Sequence, residues 1–220
     1  MSKKAVKQPP KNVTTEDYEK LVQKSYEFMV CLNNCINNKE NLNRSGLRET
    51  PERFARAHLE LLKGYNAEYD FTQFPVNDKN EDGEYCDDEK DLDTEYVGTT
   101  PIVVKNIPFN SVCEHHLLPF YGNVHVAYVP KKKILGLSKF PRNLQTLSER
   151  WQVQERLTKD YCNLLMDKLD AKGVAVMIEA SHSCMTLRGV KTPGVTVTCC
   201  YTGVMDTPEK QAEFRALIKS

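Results

Sequence analysis

The chain of 220 residues carries 30 basic and 30 acidic side chains, a balance that argues against a general nucleic-acid binder, which shows a basic excess. A hydrophobic share of 40% and an aromatic share of 9% belong to a chain that buries a core, not to a disordered one. No apolar run is long enough to span a bilayer, the basic start MSKKAVKQPPKN lacks the apolar stretch of a secretory signal, and eight cysteines are too few for a disulfide scaffold, so the expectation is a reducing, cytoplasmic compartment.

Residues 1–13 are polar, hold Pro9 and Pro10, and read as a disordered tail. A hydroxyl cap at Thr14 or Thr15, with Glu16 and Asp17 behind it, predicts a helix start. Tyr18, Leu21, Val22, Phe28, Met29, Leu32 and Ile36 recur at helical spacing and predict its apolar stripe. Thr50-Pro51-Glu52 predicts a second helix with a hydroxyl cap and proline in the first position. Phe54, His58, Leu61 and Leu62 form its expected buried stripe, and Gly64 its stop. Residues 14–75 are thus an N-terminal helical region. Residues 76–97 form an acidic loop. Over 77–96, ten acids and two lysines stand among almost no apolar side chains, too little burial to repay ordering.

The segment 98–220 is denser. PIVVKNIPF and GNVHVAYVP read as strands, the second with Val124, Val126 and Tyr128 on one face. LSKFPRNLQTLSE and VQERLTKDYCNLLMDKL read as helices, the latter with a stripe of Val153, Leu157, Tyr161, Leu164 and Leu165. GVAVMIEASHSC and TVTCCYT alternate as strands, with Val195, Val197, Cys199 and Tyr201 sharing a face in the second. EKQAEFRALIK reads as a C-terminal helix. Two strands, two helices and two strands predict an α+β fold, an antiparallel sheet with helices on one face.

Two short clusters carry chemistry. Cys113-Glu114-His115-His116 places a thiolate and an imidazole three residues apart, ligands of the kind zinc prefers. His182-Ser183-Cys184 is the second half. Its histidine and cysteine keep the parity of the preceding strand, so both are expected to point the same way. Two cysteines and one histidine would leave an open position, the arrangement of a catalytic metal, where bound water ionises at a pKa of roughly 7. Lys139 and Arg142 stand at a helix start, where a cation is disfavoured unless an anion is to be held, and Arg188 follows the second cluster. There is no glycine-rich phosphate loop, so a bound polyphosphate would be held by side chains. Glu155, with Lys159 four residues on, reads equally as a helix ion pair. The pairs Cys31/Cys35 and Cys199/Cys200 read as core or face residues, not ligands.

CEHHLLPFYG, GLSKFPR, QVQERLT and ASHSCMTLRGV, in that order, resemble the signature segments of the GTP cyclohydrolase I family, and GLRETPERFA and EFRALI resemble its flanking helices. The resemblance implies the tunnelling fold, with subunits closing into stacked rings, a decamer, that would also cover the open sheet edges. It implies Zn2+ held by Cys113, His116 and Cys184, with His115 and His182 as acid–base residues and Ser138 and Gln154 beside them in the catalytic set. It implies guanine recognition by Glu155 with Val153, a ribose contact at Ser138 with Leu137 beside it, and a triphosphate clamp of Lys139, Arg142 and Arg188. The implied reaction opens the imidazole ring of GTP, releases formate and yields 7,8-dihydroneopterin triphosphate, the first step of a pterin, folate or deazaguanine pathway. Neither nucleic acid nor membrane is an expected partner. Other expectations open at this point are a non-catalytic zinc-stabilised ring protein that binds purine nucleotides, and another tunnelling-fold enzyme acting on pterins or deazaguanines. Pro141 inside the second motif fits only the first turn of a helix.

Overall fold

The computed structural model describes residues 9–75, 100–169 and 171–220, so most of the expected tail and all of the expected acidic loop lie outside the described residues. The chain divides into two compact units, Met1–Asn66 and Ala67–Ser220.

In the first unit, α1 (Thr15–Asn34) packs on α3 (Thr50–Leu61), with the short α2 (Ser45–Arg48) before it. Thr14 caps α1 as its spacing predicts, its side-chain oxygen accepting from the Asp17 N–H at 3.1 Å. Thr50 is not a cap. The N-cap position of α3 falls on Glu49, and the Thr50 hydroxyl donates to the Gly46 carbonyl instead. The expected stripes are only partly covered. Tyr18 is buried, whereas Phe28, Leu32 and Phe54 are exposed and Ile36 lies past the end of α1. A helix pair covers only a narrow seam, and here that seam is lined by Tyr18, Ser25, Pro51 and Ala55.

In the second unit a five-stranded sheet runs in the order β5-β2-β3-β6-β7, built from β2 (Ile102–Cys113), β3 (Pro119–Val129), β5 (Trp151–Gln152), β6 (Gly173–His182) and β7 (Thr196–Gly203). A separate two-stranded ribbon pairs β1 (Gln73–Pro75) with β4 (Lys133–Leu135). Helices α4 (Lys139–Ser148) and α5 (Gln154–Leu169) lie between β4 and β6 in the chain and cover one face of the sheet. Val124, Val126 and Tyr128 of β3 meet Phe140, Leu144, Leu157, Tyr161 and Leu165 there, as the alternation predicts. The C-terminal helix α7 (Pro208–Lys219) covers part of the other face, seating Phe214 against Ala127, Val129, Ala175 and Met177. Pro141 falls in the first turn of α4, where its missing N–H costs nothing.

The last strand departs from its apolar reading. Val195 precedes β7, Val197 and Cys199 are exposed, and the positions facing α5 are Thr198, Cys200 and Thr202. The reason is a polar seam on α5 itself, where Gln154, Thr158 and Cys162 repeat every four residues and bond to that strand.

Strand β3 pairs on both sides without a slip near its start. Ser111, Phe120 and His182 stand in one row across β2, β3 and β6. Gly122 permits this approach, since a Cβ there would lie 1.8 Å from the Glu179 carbonyl oxygen of β6. The expected result for Gly122→Ala is a loss of about 2–4 kcal/mol of stability, read from denaturant unfolding, because strand backbone cannot move aside as a flexible side chain can.

Candidate metal centre and active site

The site forms where β2 and β6 end. After Cys113 the chain turns sharply. The Cys113 carbonyl accepts from the N–H groups of His116 (3.3 Å) and Leu117 (2.8 Å), and the Cys113 N–H donates to Leu118 (2.9 Å). Leu117 takes a φ of 54°, the left-handed conformation that closes the turn. The turn folds His116 back on its own strand end, with Nδ1 at 3.7 Å from Cys113 Sγ, while His115 Nδ1 lies 4.0 Å from the same sulfur.

Strand β6 stops at His182, and Ser183–Thr186 form a single helical turn, α6. The parity expected to carry through Cys184 therefore ends two residues short of it. The helical turn, not strand alternation, brings Cys184 inward. The ligand atoms of Cys113, His116 and Cys184 all lie within 4.8 Å of one another, with Cys113 buried, Cys184 half-buried and His116 exposed. Burial and the neighbouring Cys113 sulfur push the Cys184 thiol up, and Arg188 partly opposes them. Two sulfurs crowded beside an imidazole are an arrangement that a cation relieves.

His182 is tightly held. Its ring stacks on Phe120 with centroids 4.7 Å apart and planes 2° from parallel, and its Nε2 lies 2.8 Å from Gln154 Oε1. Burial lowers its pKa, and Glu155 partly opposes that. Gln154 is buried, Val153 half-buried and Glu155 exposed in the first turn of α5. The two-residue strand β5 pairs in parallel with the end of β2, placing Gln152 opposite Cys113. Glu114, unremarked in the sequence, receives Arg156 at 2.5 Å, and Arg156 also bonds Gln152 and the Trp151 carbonyl. That hydrogen bond holds the Glu114 carboxyl below its usual range.

Ser138 occupies the N-cap position of α4 without a capping bond, and Leu137 beside it is 68% exposed. Lys139 pairs with the Asp70 carboxylate, and Arg142 Nη1 stands 3.7 Å from the same oxygen. Asp70 is pinned by Asn143, which accepts from its N–H and donates to its carbonyl, both at 2.8 Å. No local signal marks Asp70, which reaches α4 from 69 residues upstream of Lys139. Arg188 is exposed past α6, and among the described residues no hydrogen bond or ion pair joins it to Lys139 or Arg142.

A Cys/His/Cys cluster flanked by an anchored histidine, at the end of the sheet of an α+β fold, is a candidate metal centre of the kind a metal-dependent enzyme uses. The chain belongs to the GTP cyclohydrolase I family, whose match spans residues 32–219. It is 44% identical to GTP cyclohydrolase 1 of Caldanaerobacter subterraneus subsp. tengcongensis, over 82% of this chain and 89% of that one. The Saccharomyces cerevisiae GTP cyclohydrolase 1 is 40% identical over 81% of this chain and 68% of its own. The Streptococcus agalactiae GTP cyclohydrolase 1 is 38% identical over 91% and 97%. A solved structure, the archaeosine synthase QueF-Like in the apo form, aligns with 48% of this chain and 96% of that chain at 15% identity and a TM-score of 0.38.

Cys113→Ser, His116→Ala and Cys184→Ser are each expected to lose bound metal, measured by elemental analysis of the purified protein. His182→Ala is expected to keep it. Metal loss in the His182 variant equal to that in the Cys113 variant would make His182 a ligand.

Proposed function

We propose that this chain opens the imidazole ring of GTP by hydrolysis, releasing formate and yielding 7,8-dihydroneopterin triphosphate, with zinc as its metal. The observation that carries the reading is the convergence of Cys113, His116 and Cys184 beside His182. The donor set fits zinc. Tetrahedral zinc, with bonds of about 2.3 Å to sulfur and about 2.0 Å to nitrogen, spaces its ligands roughly 3.5–3.8 Å apart. The 3.7 Å between Cys113 Sγ and His116 Nδ1 falls in that interval. When bound, zinc supplies Lewis acidity toward water at neutral pH.

The chain's own residues do the rest. Glu155, exposed at the start of α5, accepts hydrogen bonds from the N–H edge of guanine, with Val153 and Gln154 shaping that helix start. Leu137 and Ser138 flank the ribose. Lys139, Arg142 and Arg188 meet the triphosphate, the first two by exchanging Asp70 for phosphate oxygens. His182 and His115 pass protons as the bond at C8 breaks and formate leaves.

Residues 98–220 form the catalytic domain in this reading, and the helical region 14–75 serves assembly. Both ends of the sheet order, β5 and β7, and the exposed Phe28 and Leu32 of α1 suit burial between copies in stacked rings, the decamer of the resemblance. No described helix is long and apolar enough to cross a membrane.

The direct test is to incubate the purified protein with GTP and follow formate, together with neopterin fluorescence after oxidation and dephosphorylation. Turnover of ATP is expected to be negligible, because adenine lacks the paired N–H donors of the guanine edge that Glu155 accepts. Equal turnover of the two nucleotides would contradict the role of Glu155. Arg188→Ala is expected to cut kcat/KM for GTP roughly a hundredfold with metal content normal, and barely to affect the poor substrate guanosine. Equal losses on both substrates would move Arg188 from phosphate binding to folding or assembly.

A further inference from the structure

The bonds behind His182 form a chain whose hydrogens can be placed one by one. Gln154 Nε2 lies 3.0 Å from the Ile178 carbonyl, 2.9 Å from the Thr196 carbonyl and 3.1 Å from Thr198 Oγ1. The two carbonyls can only accept and take the two amide hydrogens, one of them shared with Thr198 Oγ1, and an amide turned the other way would press its oxygen against two carbonyl oxygens. The amide nitrogen therefore faces β6 and β7, and Oε1 faces His182 at 2.8 Å.

The hydroxyls beyond follow the same logic. Thr198 lies 2.6 Å from Thr158 Oγ1, and an amide nitrogen accepts nothing, so the Thr198 hydrogen goes to Thr158. Thr158 then turns its own hydrogen to the Gln154 carbonyl at 2.8 Å, a bond within the first turn of α5. The series runs from Thr158 through Thr198 and the Gln154 amide to the ring, and each member has its partner. Phe120 closes one face of that ring.

We propose that Gln154 is a positioning residue, oriented by the Ile178 and Thr196 carbonyls and by Thr198, that holds neutral His182 in the tautomer with its hydrogen on Nε2. Nδ1 is left with its lone pair. This deepens the proposed function, resting on it only for the claim that His182 moves protons. Thr198 and Thr158, which carry no role in the sequence reading, become the outer support of that histidine.

The test uses full-length, metal-loaded protein with 15N-labelled histidine, studied by magic-angle-spinning NMR at about pH 8, where an imidazole is neutral. The His182 signals are those missing from His182→Asn. The expected wild-type spectrum shows a protonated Nε2 and an unprotonated Nδ1. Gln154→Met, which cannot accept a hydrogen bond, is expected to mix the two tautomers. Thr198→Val is expected to lower kcat roughly tenfold with KM and metal content unchanged, and Thr198→Ser to restore it. Should Gln154→Met fail to fold, the Thr198→Val and Thr198→Ser spectra make the same comparison. A hydrogen on Nδ1 in the wild type, or a Gln154→Met spectrum identical to wild type, would overturn the proposal. A wild-type protein that shows the Nε2 tautomer yet releases no formate from GTP would sink the functional reading and leave this one standing.

Discussion

The site depends on the register of β3. That strand contributes no proposed metal ligand, yet it pairs with β2 on one side and β6 on the other, and the two ligand clusters sit just past the ends of those neighbours. A slip of two residues on either side would move a cluster by roughly 7 Å along the strands, more than the whole spread of the three ligand atoms. A slip of one would turn Phe120 off the ring of His182. The close approach at Gly122 and the buried alternation of Val124, Val126 and Tyr128 hold that register from the core side. The metal cluster is in this sense a product of sheet packing, made far from the atoms that would touch a cation.

The tight turn after Cys113 and the helical turn after His182 solve one geometric problem in two ways. A strand alone presents side chains about 7 Å apart on one face, too far for two ligands of one ion. Cys113 and His116 escape that spacing through the turn closed by Leu117, and Cys184 escapes it through α6. Meanwhile β5 binds the start of α5 to the end of β2 through Cys113 and Gln152, so the proposed base-recognition residues and the metal cluster share one rigid frame.

Much of this was legible locally. The cap at Thr14, the alternation of β3 and the stripe Leu157, Tyr161 and Leu165 are short-range patterns, and they occur where the spacing places them. The cluster of Cys113 and His116 was legible for the same reason. The convergence of Cys184 was expected on strand parity, which is not the device the chain uses. Asp70, Phe120 and Thr198 left no mark, because each acts across a distance in sequence that only the sheet or the α4 contact closes. The polar seam facing β7 did leave one, the four-residue repeat of Gln154, Thr158 and Cys162, hidden by the apolar alternation on the outer side of the same strand.

Asp70 gives the proposed phosphate clamp an entry threshold. With its carboxylate seated against Lys139 and near Arg142, the free protein presents a pair already neutralised in part, not a bare cationic patch. A single phosphate arriving there exchanges one anionic partner for another and gains little, since the Lys139 charge it meets already has a carboxylate partner. A chain of three phosphates offers several charges on one tether, so its later contacts come at high effective concentration and together outcompete the lone carboxylate. The protein would thereby ignore abundant small anions without excluding them by shape, and read the valence of its ligand through a residue that never has to touch it.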